Sequence, residues 1–436
     1  MFPWNDRSRR HLAIAMFVLL CLVPTALVLA WGIARQLPWH VRREADRLSA
    51  ALGLKVVLAG LRHVRPGTVY YQGLELFEPE TGSRILHCAR VEAVRGTTTD
   101  AQGEGRDSVA LTLVRPEIAA DQLVQVGRVA HRLLVERGAR QGVEFQWTAA
   151  EAIVRASDGL LVLSDLQGKT ESHPGWSQAQ ASFRLAPSQQ SEPARIRLVR
   201  NRQVAPPATG FELDTGAAYL ACPALAAALP GIERLGPRSR FRGNLWAYET
   251  PEGWAGQFQG AIVDVSLDGL LADRLPSTLS GLARIDLETA RFRQGRLEEV
   301  KGSVAAGPGM ASRWLIDAAV ERLGLRGGVP TTASVSQVRY EQLAAAFFLD
   351  ARGLWLAGQC GAADCRAILV DRYNVLLGEP AAQPLPLAAV VQTLAPSNDP
   401  PVPLTRQTAW LMRHLPLPEA KDEVAGASGE GRGTRK

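Results

Sequence analysis

The chain opens on an unbroken apolar run and then alternates. From Leu12 to Ala34 it reads LAIAMFVLLCLVPTALVLAWGIA, 23 residues without one charged side chain. A helix of that length spans roughly 35 Å at about 1.5 Å per residue, enough for a hydrocarbon core of about 30 Å. Pro24 falls mid-span, a position that membrane helices tolerate, and Trp31 and Trp39 stand at the far end, where indoles favour the interface. A cleaved signal peptide would show a shorter run and a small-x-small site. Ala30-Trp31-Gly32 matches that poorly, so residues 12–34 read as an uncleaved anchor behind a short N-terminal segment, 1–11.

Beyond the anchor the period changes. Pro38 to Leu52 carries Val41, Ala45, Leu48 and Leu52 at helical spacing, and Gly53 stops it. Then KVVLAGLRHV, TVYYQGLELFE and RILHCARVEAV follow, separated by Arg65-Pro66-Gly67 and Pro79-Glu80-Thr81-Gly82, turn chemistry that makes a meander of antiparallel hairpins. VALTLVRPEI predicts a further strand, Asp121 to Arg137 a helix, and VEFQWT, EAIVRAS, LLVLSDLQG, SFRLA and RIRLVR more strands. Between Arg240 and Val304 the pattern is clearest: RFRGNLWAY, WAGQFQGAIVDVSL, LSGLARIDLETARF and RLEEVKGSVAA, with a small helix around Leu267 to Leu275. Helices are predicted at Ser312–Leu323 and Val338–Leu349, and strands at GLWLAGQC and RAILVD. Residues 379–418 form a Pro-rich segment ending in an amphipathic helix, Thr405–Leu415, and 419–436 a charged, Gly-rich tail expected to be disordered. The expected fold is mainly β with short helices, α+β: a transmembrane helix, then an elongated, curved antiparallel β-meander over residues 35–378.

Curvature is expected from a recurring motif, apolar-x-Gly-x-small or apolar. It stands at Phe241-Arg-Gly243-Asn-Leu245, Phe258-Gln-Gly260-Ala-Ile262, Leu279-Ser-Gly281-Leu-Ala283 and Val300-Lys-Gly302-Ser-Val304, with glycines 17, 21 and 21 residues apart, and again around Gly358. Glycine inside a strand marks a bulge or bend, and repeated bends curl a sheet. Alternation places Val263, Val265 and Leu267 on one face against Asp264, Ser266 and Asp268, and Ile285 and Leu287 against Arg284, Asp286 and Glu288. With Phe258, these apolar residues are the candidate lining of a groove. An orthodox sandwich gives the same alternation.

Composition narrows the function. The net charge of +6 is spread along the chain with Arg far above Lys and no dense basic block, which argues against a nucleic-acid partner. Arginines flank the apolar run on both sides, so charge alone leaves orientation open; the brevity of the N-terminal segment favours N-in with the body exported. Cys360 and Cys365 enclose Gly-Ala-Ala-Asp, where a disulfide and two reduced thiols are equally compatible with the sequence. Seven histidines show no metal-ligand spacing, and there is no nucleophile elbow or phosphate loop, so no catalytic residue, metal or cofactor is expected.

The segment LSAALGLKVVLAGLRHVRPGTVYYQGLELFEPETGSRILHCARVEAV resembles the start of AsmA-like proteins, the group that includes TamB, and GWAGQFQGAIVDVSLDGLLADRLPSTLSGLARIDLETARFRQGRLEEVKGSV is similar in style to their later repeats. The resemblance rests on apolar and glycine patterns over about a third of the chain. It implies an inner-membrane protein with its body in the periplasm and a hydrophobic β groove for lipid acyl chains, working in lipid transfer or envelope biogenesis, with other envelope proteins as partners. At about 4.8 Å per strand, some fifteen strands make a groove of roughly 70 Å, short for a bridge across an envelope. An anchored scaffold of an envelope or secretion assembly is the alternative, and an anchored hydrolase the third.

Overall fold

Helix comes first. In the computed structural model α1 (Asp6–Phe17), a π-helical turn (Val18–Leu22) and α2 (Val23–Ala34) follow one another without a gap. The wide turn sits just before Pro24, which has no N–H to give to the preceding turn. Val23 N–H reaches back to the Val18 carbonyl, and the Thr25 hydroxyl donates to the Cys21 carbonyl at 2.7 Å. A π turn and a Thr hydroxyl are the usual means of re-satisfying backbone groups that proline frees. Among the described residues no single helix is long and apolar enough to cross a membrane. The structure describes residues 6–34, 37–99, 105–137, 144–156, 159–173, 175–185, 192–225, 232–271, 278–329, 336–361, 366–394 and 414–416. The expected terminal helix at 405–415 and the tail at 419–436 lie almost wholly outside them.

The chain forms two compact units, residues 1–207 with 224–230, and residues 208–223 with 231–436. In the first, α3 (Pro38–Leu52) has the expected bounds, with Pro38 in its first turn and Gly53 closing it at φ 65°. A sheet follows: β1 (Lys55–Val57), β2 (Gly60–Arg65), β3 (Thr68–Phe77), β4 (Arg84–Thr99), β5 (Gly105–Ala119), β6 (Glu144–Ala156), β7 (Gly159–Ser172), β8 (Trp176–Leu185) and β9 (Ala194–Asn201). β1 and β2 both pair with β3, and each later strand pairs with its predecessor. One pair departs from the expected meander. β5 and β6 run parallel, joined through α4 (Leu123–Arg137), because a parallel connection needs a crossover too long for a turn. Leu61, Tyr71, Cys88 and Val91 form the buried core here, and Val41 and Leu48 of α3 pack on it.

The second unit contains β10 (Ala208–Asp214), β11 (Leu220–Ala221), β12 (Arg240–Thr250), β13 (Gly253–Ser266), α5 (Leu267–Leu271), β14 (Leu282–Arg293), β15 (Arg296–Ala306), β16 (Gly309–Ser312), α6 (Arg313–Leu323), β17 (Leu325–Gly327), β18 (Gln337–Tyr340), β19 (Gln342–Asp350), β20 (Gly353–Gly358), β21 (Ala367–Val370), β22 (Val375–Pro380) and α7 (Leu387–Leu394). The main sheet runs β12-β13-β14-β15-β19-β20, all antiparallel. Ser312 caps α6, its hydroxyl accepting from Leu315 N–H, and Gly324 ends it at φ 63°.

The helix expected at Val338–Leu349 is instead strand. β18 and β19 occupy that stretch, and β19 pairs with β15 from Val300↔Leu349 to Ala306↔Leu343. Residues 343–349 are apolar without a break, so they carry no period. Tertiary context decides such a segment: as a helix it would leave the β15 edge unpaired.

Candidate functional site

Rows of paired residues cross the second unit's sheet on one face. The first is Gly243, Gly260, Leu287, Gly302, Phe347 and Leu356; the next is Leu245, Phe258, Ala290, Val300, Leu349 and Leu354. On the other side of the glycines run Phe241, Ile262, Ile285, Val304 and Ala345. Every residue in these rows is apolar or glycine. Ala290 and Val300 are buried, while Phe258, Leu287, Phe347, Leu349 and Leu354 are half-buried.

Three of the motif glycines make the floor of this face. Gly243 and Gly260 are direct partners at φ 154° and 144°, and Gly302 faces Leu287, which faces Gly260. A Cβ on Gly243 would lie 2.6 Å from the Gly260 Cα and collide with the Gln259 carbonyl; a Cβ on Gly260 would lie 2.7 Å from the Gly243 Cα. The two backbones therefore approach where any side chain would hold them apart. Phe241 and Phe258 show the consequence. In flat strands they would stand roughly 13 Å apart along the sheet, yet their rings stack at 4.8 Å. The face is concave across the glycine line. Gly281 is not part of it: it precedes β14 and packs against the Tyr340 hydroxyl.

Bulges keep the phase. Val263 and Asp264 together oppose Arg284, since Ile262 pairs with Ile285 and Val265 with Ala283. Asp264 takes φ 57° and its carboxylate accepts from Arg240 at 2.6 Å. Of the expected lining, Phe258, Ile285 and Leu287 therefore lie on the concave face. Val265 and Leu267 lie at its end, buried with Ala283 and Ala306 against Leu235 and Leu270 of the covering segments. Val263 is out of phase with Val265, a correction to strict alternation: one extra residue in a strand turns the following side chains over. A second bulge, at Glu288–Thr289, likewise returns Ala290 and Phe292 to the concave face.

On β14 and β15 the reverse face is charged and self-neutralising, whereas on β19 and β20 it carries Ala344, Ala346, Phe348 and Trp355. Arg284 pairs with Asp286 at 2.7 Å, Arg291 with Glu299 at 3.4 Å, Arg293 with Glu298 at 3.0 Å, and Lys301 with Glu288. Such exposed pairs add little stability each; they mark that part of the face as solvated, while Ala344 behind β19 is buried with Cys360, Ala367 and Val370.

The first unit repeats the theme. Tyr71, Val91, Leu113 and Val69, Ala93, Leu111 pair across β3, β4 and β5, and Leu111 continues to Trp147 and Gly168. The Trp147 indole lies on Gly168, where a Cβ would collide with it. Ala181 and Ile196 extend the row across β8 and β9.

Chemistry elsewhere is sparse. Cys88, Cys222 and Cys360 are free, buried thiols, and burial pushes each pKa up, away from the reactive thiolate. Cys360 Sγ donates to the Ile368 carbonyl at 3.1 Å; Cys365 lies outside the described residues. Among the described residues no three His, Cys, Asp or Glu side chains gather as metal ligands. A cleft of about 210 Å³ lies between the β3–β4 turn and α4, lined by Leu54, Ile85 and Val129 with Glu78, Glu80, Arg128 and Arg132. Its mixed lining gathers no nucleophile beside a base. Strand alternation missed three exposed aromatics near the β12–β13 turn, Trp246, Tyr248 and Trp254; their nearness to Pro251-Glu252-Gly253 in sequence was the available signal. No protein-family model, curated protein or solved structure matches the chain.

Proposed function

We propose that this chain is an AsmA-like, single-pass protein of the inner membrane, which holds lipid acyl chains on a concave β face and serves envelope biogenesis by binding or transferring them. One observation carries the reading: across the glycine line six antiparallel strands present rows made only of apolar residues and glycine on the concave side of a bend, with ion pairs behind them on β14 and β15. The half-buried Phe258, Leu287, Phe347 and Leu349 are a surface that an acyl chain can complete, gaining about 0.8 kcal/mol per buried CH₂.

The anchor supports the same placement. Taken together, α1, the π turn and α2 form one helical stretch, and its apolar side chains stand free, Ile14 at 58% and Leu19 at 67% exposure. An apolar patch of that extent belongs in lipid or an interface. The 35 Å or so from Leu12 to Ala34 suits a bilayer, with the N-terminus inside and the body in the periplasm.

Site-specific photo-crosslinking tests the reading. A benzophenone side chain at Leu287 or Phe347 in the full chain, irradiated in cells fed radioactive phosphate, is expected to yield a labelled lipid adduct. The same group at Glu288 or Lys301, on the reverse face, is expected to yield none. Equal labelling of both faces, or none on the concave face, would leave the scaffold reading ahead.

A further inference from the structure

We propose that the β12–β13 and β14–β15 hairpin tips dip into the headgroup region of a phospholipid bilayer, making this rim the place where acyl chains enter. The inference rests on the acyl-chain reading above and names the partner of that same site.

The two tips lie side by side at one end of the sheet. Gln294 N–H donates to the Trp254 carbonyl at 2.8 Å, and the Gln294 amide donates to Glu252 at 3.2 Å. Trp254, 43% exposed, pairs next to the turn with Glu249 and precedes Gly256 and Phe258 on the concave face. Trp246 and Tyr248 are 45% and 40% exposed and stand on the reverse face of the same hairpin, stacked at 5.7 Å. The tip is thus aromatic on both sides. A protein partner covers one face of a hairpin; a lipid interface surrounds it. Indole and phenol rings, apolar with one polar edge, are the side chains that favour that layer.

Charge argues for insertion without anionic attraction. Arg291, Arg293 and Arg296 stand against Glu249, Glu252, Glu298 and Glu299, with Arg291 and Arg293 paired to Glu299 and Glu298, so the tips offer no cationic excess. Their guanidinium groups can still rise to headgroup level while their stems stay apolar. Continuity completes the case: from Trp254 the concave face runs through Phe292 and Leu297, both half-buried, to the glycine floor.

The test uses the full chain in nanodiscs, with an environment-sensitive dye on Glu249→Cys and protein-free phosphatidylcholine vesicles as probe. Dye brightening on vesicle addition, and quenching by brominated acyl chains in those vesicles, are expected. The response should persist with added phosphatidylglycerol or raised salt. Trp246→Ser, Tyr248→Ser and Trp254→Ser combined should weaken vesicle binding about a hundredfold, with circular dichroism unchanged, whereas Trp254→Tyr should retain most of it. A dye that does not respond, or responds equally in the triple variant, overturns the proposal. The lipid adduct at Leu287 separates the two readings. An adduct without dye response leaves the trough standing and removes the docking rim; dye response without an adduct does the reverse.

Discussion

Replacing Gly260 by alanine tests whether the bend depends on the absence of side chains along one line. At φ 144° an L-residue enters a region essentially reserved for glycine, at a cost of about 1–3 kcal/mol. The new Cβ also collides with the Arg242 carbonyl and lies 2.7 Å from the Gly243 Cα, both backbone atoms that cannot swing away. Relief requires β12 and β13 to part there, losing one or two ladder hydrogen bonds at about 1 kcal/mol each. The expected loss is about 3–4 kcal/mol, which for a unit of this size lowers its melting temperature by roughly 6–15 °C. Two controls divide the causes. Gly295 has φ 75° but nothing near its missing Cβ, so Gly295→Ala is expected to cost about 1 kcal/mol. Gly307 has open space and no positive φ, so Gly307→Ala is expected to be neutral or slightly stabilising. Hydrogen exchange read by mass spectrometry on peptides from β12 to β15 reports the local opening energy directly. If Gly260→Ala costs no more than Gly295→Ala, close strand approach is not what shapes the concave face.

Other perturbations read other parts of the molecule. Val265→Ala, in the closed end at 0% exposure, is expected to cost about 2 kcal/mol in urea unfolding, and Val263→Ala, in the bulge, less than about 1 kcal/mol; equal costs would mean that the phase shift is misread. Burial first, and the Glu44 carboxylate next, push the Tyr71 phenol up to about 12. Its folded-state pKa is raised, so its stability contribution is complete below the unfolded value near 10 and is lost as pH rises towards 12. About 2–3 kcal/mol is at stake, and urea titrations at pH 9 and pH 11.5 should differ by less in Tyr71→Phe than in the natural chain. Cys88, Cys222 and Cys360 should resist maleimide until denaturant is added, and rapid native labelling of any of them, located by peptide mass spectrometry, would contradict their burial.

Much of this fold was legible because local chemistry and tertiary need agree. Pro38, the apolar stripe and Gly53 delimit α3 at both ends, and Gln294 and Gly295, at φ 54° and 75°, make the tight hairpin turn that separates β14 from β15. Where the two levels part, the sequence misleads. Leu343 to Leu349 has no polar position to set a period, and only the waiting β15 edge makes it a strand. The helix at Leu123–Arg137 is plain in the pattern, but that it turns β5 and β6 parallel is a fact about pairing, which no single segment encodes. The candidate lining was half legible for the same reason. Phe258, Ile285 and Leu287 follow from alternation, whereas the bulge at Val263–Asp264 depends on the register of a neighbouring strand.

Alternation alone cannot distinguish a groove from one half of a sandwich, because both demand one apolar face. What separates them is how the strands bend and what the apolar face meets. A sandwich sheet needs side chains at every inward position to interdigitate with its partner across about 10 Å. Here inward positions at the centre of β12, β13 and β15 are glycine, and Phe241 and Phe258 close on each other across the gap, while on β15, β19 and β20 Val304, Ala345 and Leu356 of the same face pack with Ile316 and Ala319 of α6. Towards Val265 and Leu267 the same face meets Leu235 and Leu270 and is fully buried; towards the hairpin tips it ends in a half-exposed tryptophan. That gradient, closed at one rim and aromatic at the other, gives the face a direction. On the acyl-chain proposal, it is the property the surface needs to take in a chain from one side and keep water from the other.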